Sequence, residues 1–396
     1  MTSTHPLPLN GITVISLEQA VAAPYATRQL ADLGARVIKI ERPGAGDFAR
    51  GYDETVHGES SYFVWLNRSK ESLTLDLKSA AGQKVLRELV AGADVFLQNL
   101  GPGATSRMGL GADALKELHP RLVVCDITGY GEGPWQSRKA YDLLVQAEAG
   151  LLAVSGTEDD VAKAGISVAD IAAGSFAYSG ILAALYTRAM TGEAPAVTVS
   201  LFEALAEWMG SPMYYSQYGG TPARRTGARH ATIAPYGPFT AGDGGTVLLA
   251  IQNQPEWERL CTEVLDLPDL VDDPRFAKNP ARVLHREELE AIITAAIEPF
   301  SADELEEQLE NAGVANARMN TMAQLWDHPV LSERDRWRDV KTPGGHIRAL
   351  LPPATLRGVE SRMDPVPALG EHTAAILREL GRSDTDIAEL REQRVI

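Results

Sequence analysis

The chain has 396 residues, and 37 Lys and Arg set against 53 Asp and Glu leave a formal net charge of -16. With 44% hydrophobic and 23% charged residues it fits neither a disordered nor a fibrous chain, and so acidic a balance argues against nucleic-acid binding, which needs a basic surface to displace counterions from phosphate. At roughly 150 residues per domain, the length suggests about two or three domains, or one large α/β unit with a smaller companion.

The opening MTSTHPLPLNG has neither a basic region nor an apolar run, and no uninterrupted apolar stretch of about 18 residues follows. A cytoplasmic protein with no membrane partner is expected. From residue 11 short β-branched runs alternate with helical segments: GITVISLE, AAPYATRQLADLG, ARVIKIE, then LTLDL (73–77), a helix over 79–91, DVFLQN (94–99), a helix over 112–118 and LVVCDITGY (122–130). This alternation predicts a parallel sheet with helices on both faces and right-handed crossovers. A long, mostly buried helix is expected over 170–190, ending at Thr191-Gly192, followed by a strand at AVTVSL (196–201).

Residues 202–232 begin with a helical pattern and then gather Tyr, Gly and Arg, which reads as a helix followed by a crossing linker. YGPFTAGDGGTVLLAIQN predicts a hairpin turning at Gly242-Asp243-Gly244-Gly245, because such pairs supply positive φ. Helices are expected over 255–266, 285–298 and 302–312, the last with a capping box formed by Ser301 and Glu304. Together these form a second, smaller α+β domain. The tail returns to a strand, a Pro-rich crossing and a helix.

Familiar signatures are missing. The turn after the first strand, EQAVAAP, has no G-x-G-x-x-G, and Walker A, G-x-S-x-G and H-E-x-x-H patterns are also absent. Cys125 and Cys261 lie in apolar runs without CxxC or Cys/His spacing, so they are expected in the core, with no disulfide and no metal site. What remains is polar residues at strand ends, where open parallel sheets bind ligands. Gln19 follows the first strand and Arg42 the second, Asn67 and Lys70 precede LTLDL, Asn99 follows DVFLQN, and Arg107 lies in GPGATSRMG. Lys70 and Arg107 offer charge for phosphates. Taken singly, Arg42 and Lys70 also read as solvated surface charges and Asn99 as turn chemistry.

Asp170 interrupts the small, apolar run GISVADIAAGSFAYSG where the long helix begins. It reads as a helix N-cap, kept ionised by the positive end of the dipole, and an ionised carboxylate is also an acyl-accepting nucleophile. Arg224, Arg225, Arg229 and His230 form the densest basic patch, either a solvated linker or a partner for a substrate carboxylate.

The ordered segments LADLGARVIKIERPGAGDFAR, WLNRSKESLTLDL, ADVFLQNLGPGATSRMGLG, DITGYGEGP, SVADIAAGSFAYSGILAALYTR and PALGEHTAAIL strongly resemble family III CoA transferases nearly end to end. That group contains formyl-CoA transferase, carnitine CoA transferase and the succinyl-CoA:dicarboxylate CoA transferases. The resemblance implies an interlocked homodimer with a Rossmann-like large domain built from both chain ends (1–201 and 353–396). A small domain (233–325) would lie between crossing linkers at 202–232 and 326–352. It also implies Asp170 as the catalytic residue, with Arg42, Lys70, Asn99, Leu100, Arg107 and Lys139 at CoA, and Gln19, Ala20 and Val21 in the loop at the cofactor. Asn67 joins them as a strand-end candidate.

The implied chemistry is covalent and needs no metal and no tightly bound cofactor, CoA being a substrate. Asp170 attacks a thioester to give a mixed anhydride and CoA thiolate, the thiolate returns to give an aspartyl-CoA thioester, and an acceptor acid reverses the sequence, with backbone N–H groups stabilising the oxyanions. The partners are an acyl-CoA, a carboxylic acid and a second copy of the chain. TGARHATIAPYGPF resembles the corresponding stretch in enzymes of C4 and C5 dicarboxylates, with Arg229 or His230 as the cation for a second carboxylate. AIQNQPEW (250–257) replaces the glycine run of formyl-CoA transferases and points away from formyl or oxalyl substrates. The α-methylacyl-CoA racemases are similar over the same length, but Tyr141 stands at the position of their His, and a phenol titrating near 10 is a poor base at neutral pH. A nucleotide-binding module without catalysis is the third reading.

Overall fold

The computed structural model describes residues 5–396 and forms two compact units. The first comprises the chain up to Gly150 together with Ala164–Gly210 and Leu331–Ile396, and the second Leu151–Lys163 with Ser211–Val330. In chain order the first unit contains β1 (Thr13–Leu17), α1 (Ala22–Asp32), β2 (Arg36–Glu41), α2 (Ser61–Leu66), β3 (Lys70–Thr74), α3 (Ala80–Ala91), β4 (Val95–Gln98), α4 (Ala104–Arg107), α5 (Ala112–Leu118), β5 (Val123–Thr128) and α6 (Asp142–Glu148). After α7 (Leu151–Val154) of the second unit, it resumes with α8 (Val168–Thr191), β6 (Val197–Ser200) and α9 (Leu201–Trp208). Then α10 (Gly210–Gly219) leads to β7 (Tyr236–Thr240), β8 (Thr246–Ala250), α11 (Gln254–Arg259), α12 (Asn279–Leu284), α13 (Arg286–Ile297), α14 (Ala302–Asn311), β9 (Ala315–Arg318) and α15 (Met322–Trp326). The chain returns through α16 (Pro329–Glu333) to β10 (Trp337–Thr342), β11 (Gly345–Leu350), α17 (Thr373–Glu379) and α18 (Asp384–Glu392).

The six strands of the first unit are parallel and ordered β3-β2-β1-β4-β5-β6. The order reverses between β1 and β4, so the crevice at their carboxyl ends is where a sheet of this kind takes a ligand. On one face Ile15, Leu17, Ile38, Ile40 and Phe96 pack with Leu86 and Val90 of α3, Leu115 of α5 and Ile376 and Leu377 of α17. Each such side chain contributes about 1.5–3 kcal/mol when fully buried. The tail closes the outer edge of the sheet: Ser72 N–H donates to His372 Nδ1 at 3.2 Å, Thr74 N–H to Thr373 Oγ1 at 3.0 Å and Asp76 N–H to Val395 O at 2.7 Å.

On the other side α8 packs against α1, and Gly174 makes the close approach possible. A Cβ there would lie 2.5 Å from Ala22 O and 3.1 Å from Tyr25 Cβ. α8 also packs on α6, α9, β5 and β6. Its 24 residues are long and apolar enough, by length and composition, to cross a membrane, although Asp170 and Arg188 interrupt the apolar run. Those side chains include the buried Ala172, Ala173, Ala177 and Ile181 of the packed core.

The second unit holds the antiparallel sheet β7-β8-β9 over a core containing Val247, Leu249, Trp257, Phe276, Ile293 and Leu305. The hairpin turns where expected, with Ala241 N–H donating to Gly245 O and Gly244 at φ 84°, and Ser301 and Glu304 form the capping box of α14.

Three sequence expectations shift. The first boundary falls at Gly210 rather than 201, because α9 buries Leu201, Ala204 and Leu205. The span 326–352 is not plain linker but carries α16 and the antiparallel β10–β11 pair. β3 begins at Lys70, three residues ahead of LTLDL, because the polar side chains at its start find partners: Lys70 meets Glu18, and Glu71 makes a two-pronged bond with Arg36.

Candidate active site

β1 ends at Leu17, and the turn after it is held from both sides. Asn99, just beyond β4, donates from Nδ2 to Gln19 O at 2.9 Å and accepts Gln19 N–H on Oδ1 at 2.9 Å. Ala20 then adopts φ 60°, the left-handed region that a residue with a Cβ rarely enters, and its N–H donates to Asp47 Oδ1 at 3.1 Å. Val21 follows as the buried residue that starts α1. Asn99 is therefore the clamp of the Gln19–Val21 loop, with both ends of its amide engaged by Gln19 rather than offered to a ligand. The N–H groups of Gln19 and Ala20 are likewise taken, by Asn99 and Asp47.

Beneath this loop lies a buried ionic cluster. Lys70 Nζ contacts Glu18 Oε1 at 2.7 Å, Pro24 O at 3.1 Å and Asn67 Oδ1 at 3.1 Å, while Asn67 Nδ2 donates to Phe63 O at 2.9 Å. Lys39 bridges Glu18 at 3.3 Å and Asp47 at 2.7 Å, and Arg50 forks onto Glu41 with two bonds of 2.8 Å. Burial opposes the charge on Glu18, yet Lys70 and Lys39 hold its carboxyl down at about 2. Burial pulls Lys70 down to about 8, Glu18 opposing only in part. Lys39 is raised: burial works against its charge, but Glu18 and Asp47 outweigh it. Lys70 and Asn67 are thus structural rather than phosphate-facing. Lys70 is 3% exposed and Asn67 0%, because an ammonium without water needs the carboxylate and amide it has found.

Asp170 lies in the first turn of α8, but it is not the cap. Ser167 occupies the N-cap position, and the capping bonds come from Asp142, the first residue of α6. Asp142 Oδ1 accepts Ala169 N–H at 2.8 Å and Asp170 N–H at 3.3 Å, and its Oδ2 accepts Gln146 Nε2–H at 2.7 Å. Gln146 Oε1 in turn accepts Ala164 N–H at 2.9 Å, fixing the approach to the helix. Asp170 is partly exposed, and among the described residues its carboxylate makes no hydrogen bond or ion pair. Burial and the neighbouring charge of Asp142 push its carboxyl up to about 7. The expectation that the helix dipole keeps it readily ionised is corrected accordingly: Asp142 takes the N–H groups through which the dipole acts.

Asp170 and Gly174 stand one turn apart on the same face of α8, and Gly174 abuts Ala22 at the start of α1. The Gln19–Val21 loop therefore runs beside the turn that carries Asp170. Tyr52 belongs to the same neighbourhood. Its hydroxyl is pushed up to about 12 by burial and by the charges of Asp47 and Asp170, with Tyr62 and Tyr141 close enough to add to it. Its ring meets that of Tyr62 edge-on at 5.5 Å.

Gln19, Arg42 and Leu100 line one cleft at the ends of β1 and β2, with Leu17, Ile40, Gly46, Leu75 and Leu77. Arg42 is exposed there, its Nη2 3.5 Å from Gly46 O. Arg107 and Lys139 are exposed, on α4 and in the turn before α6. Arg107 reaches Pro102 O at 3.3 Å. Tyr141 is 64% exposed, one residue before Asp142. In the second unit Arg229 is already committed to Glu290 at 2.7 Å, and His230 stacks on Tyr236 at 5.1 Å while its Nδ1 accepts Thr232 N–H. Arg229 is therefore ion-paired rather than the free cation expected, although Glu290 is shared with Arg286 at 3.7 Å. Arg225 holds Thr157 O and Glu158 O at 2.7 Å each. Asp142, Asp47 and Tyr52 were missed. Only Asp142 left a trace in the sequence, beside the Tyr141 already singled out. Among the described residues no three His, Cys, Asp or Glu side chains are grouped to hold a metal.

A family model described as CoA-transferase family III matches residues 9–373. The chain belongs to this family. Human succinyl-CoA:glutarate CoA-transferase is 34% identical over 397 residues, covering 98% of this chain and 90% of its own. Acetyl-CoA:oxalate CoA-transferase of Acetobacter aceti is 34% identical over 392 residues, covering 96% and 98%. The crystal structure of a CaiB/BaiF family protein from Brucella suis superposes with a TM-score of 0.82 at 32% identity, covering 95% of this chain and 100% of that one. As a family III CoA-transferase, the protein is an enzyme that takes CoA as a substrate.

Proposed function

We propose that this CoA-transferase moves CoA from succinyl-CoA to a C4 or C5 dicarboxylate such as itaconate, mesaconate, citramalate, malate or glutarate, through an aspartyl-CoA thioester on Asp170. The observation that carries the covalent route is the carboxylate of Asp170, partly exposed, without a hydrogen bond among the described residues and pushed up to about 7. A carboxylate without hydrogen-bond donors keeps its electron pair available, and near neutral pH a large fraction is ionised and able to attack a thioester carbonyl. Arg42 and Leu100 lining one cleft support CoA binding at the ends of β1 and β2.

The dicarboxylate assignment draws on the relative that uses glutarate. An equally similar relative uses oxalate, so the segment 250–257 does not by itself dispose of that acid. Here Asn253 caps α11, accepting Glu256 N–H, and Gln252 N–H donates to Glu256, which makes the segment an ordered helix start rather than a glycine loop.

The functional form we propose is an interlocked homodimer in which both chain ends build the large domain. Support comes from apolar side chains that a single chain leaves exposed, among them Tyr186, Met190 and Trp208 in the first unit and Met213, Tyr214 and Tyr218 in the second.

The test is an acceptor screen with succinyl-CoA and a panel of mono- and dicarboxylates that includes oxalate and formate, with acyl-CoA products identified by mass spectrometry. Transfer to a C4 or C5 dicarboxylate is expected. Transfer only to oxalate or formate overturns the acceptor assignment, and deuterium uptake at the α-carbon without any acceptor acid overturns the transferase chemistry.

A further inference from the structure

We propose that Asp142 is a positioning residue for acyl transfer: it holds the first N–H groups of α8, so that the carboxylate of Asp170 is left free of them. This rests on the reading of Asp170 as the nucleophile. An aspartate at the third position of a helix ordinarily folds back onto the N–H groups of its own first turn, and that bonding lowers both its proton affinity and its reactivity. Here the donors are already occupied. Asp142 Oδ1 receives the N–H of Ala169 and that of Asp170 itself, while Asp142 Oδ2 is fixed by Gln146. Gln146 ties down Ala164 as well and lies 3.5 Å from Ile166 O, so one side-chain pair on α6 sets the whole approach to the turn bearing the nucleophile.

The consequence is chemical as well as geometric. A second carboxylate at this distance disfavours the ionised form of the first, which makes its lone pair more basic and its attack on a thioester carbon stronger. When the Asp170 oxygen bonds to that carbon, the carbon–sulfur bond breaks and the electron pair leaves with CoA as thiolate. The negative charge then moves from Asp170, beside Asp142, onto sulfur, and the repulsion between the two carboxylates is relieved as the reaction proceeds. The titratable groups that face Asp170 are Asp142 from α6 and Tyr52 from the segment after β2, with Tyr141 next to both and Tyr25 of α1 packed one turn further along. No cation pairs with it among the described residues.

The experiment follows the ionisation of Asp170 and its acylation separately, in the full-length protein. The pH midpoint of Asp170 is read by carbodiimide labelling with peptide mass spectrometry, and the aspartyl adduct formed with succinyl-CoA is read as hydroxamate after hydroxylamine quenching. Asp142→Ala frees the helix N–H groups, Asp142→Asn keeps an acceptor for them and removes the charge, and Gln146→Ala removes the bonds of Gln146 to Asp142 and Ala164 while leaving the carboxylate in place.

The expected result for Asp142→Asn is a labelling midpoint lower by about one unit, the rising limb of adduct formation displaced with it, and a maximal rate about tenfold lower at little-changed KM, and for Asp142→Ala a midpoint lower still, since the freed N–H groups can then reach the Asp170 carboxylate. Gln146→Ala is expected to keep the wild-type midpoint. Should Asp142→Ala lower the midpoint no further than Asp142→Asn, the proposal is overturned. Should the wild-type protein give no adduct at Asp170, the nucleophile assignment falls, and the labelling midpoints alone decide whether Asp142 sets the state of Asp170.

Discussion

Asn99 and Gln19, eighty residues apart, exchange a reciprocal pair of 2.9 Å hydrogen bonds that joins the end of β4 to the end of β1. This pair occupies the crevice where the strand order reverses, so the loop beside Asp170 is held by the switch point itself. Asn99→Ala strands one backbone donor and one acceptor in a partly buried site, at a cost of about 1–3 kcal/mol. Urea unfolding is expected to show that loss, and kcat/KM for succinyl-CoA to fall more than the KM change alone explains.

The buried lysine gives a prediction of opposite sense to that of a phosphate contact. Lys70→Met leaves Glu18 short of its nearest counter-charge and is expected to destabilise the protein by about 3–5 kcal/mol. The double variant Glu18→Gln with Lys70→Met is expected to recover part of this. In the fraction that remains folded, the KM for the CoA thioester should stay near wild type, which steady-state kinetics on the purified variant will show.

Acid should unfold the protein through the same cluster. Glu18 and Glu41 have carboxyls near 2 in the folded state against an ordinary value of 4.5. Their contribution is fully present above about 4.5 and is lost as pH falls toward 2, with net proton uptake on unfolding. Calorimetric melting temperatures are expected to fall steeply between pH 4.5 and 2.

Asp170 has the reverse sign. Its folded carboxyl is raised from 3.8 to about 7, so its contribution to stability is fully present below 3.8 and is lost as pH rises through 7. On the proposed covalent route activity runs the other way, since there only the ionised form attacks, and kcat/KM should rise with an apparent midpoint near 7. Asp170→Asn is permanently neutral. It is expected to abolish CoA transfer and yet, at pH 8, to be more stable than wild type by about 1–2 kcal/mol, a figure reduced for the partial exposure of the site.

Two arginines should part company. Arg42 is exposed in the cleft, so Arg42→Ala is expected to raise the KM for acyl-CoA about tenfold, less so at high salt. Arg229 is already held by Glu290, which it shares with Arg286, and Arg229→Ala should change the KM of the proposed dicarboxylate acceptor by less than about twofold. A large acceptor-specific KM increase for Arg229→Ala would restore the expectation drawn from the basic patch.

What the sequence disclosed divides along physical lines. The alternation of short β-branched runs with helical segments exposed the parallel sheet, because side-chain periodicity is local, and Asp170 stood out as a lone carboxylate in an apolar run. Lys70 misled, because a lysine in a polar stretch reads as solvated; its partner Glu18 is 52 residues away and becomes a neighbour only once β1, β2 and β3 are side by side. Asn99 was legible as a strand-end residue, but its role as a clamp was not, since nothing local pairs it with Gln19. Asp142 escaped for the same reason: the helix it caps begins after the chain has made an excursion through the second unit.

The tail that closes the sheet also bears on how the chain is made. Ser72, Thr74 and Asp76 find their edge partners in His372, Thr373 and Val395, with His372 lying 300 residues beyond Ser72 in the chain. Until those later residues have been synthesised, a nascent chain already able to assemble β1, β2 and β3 presents an open strand edge and the apolar face meant for Ile376 and Leu377, surfaces on which unfinished copies on one polysome can pair with each other.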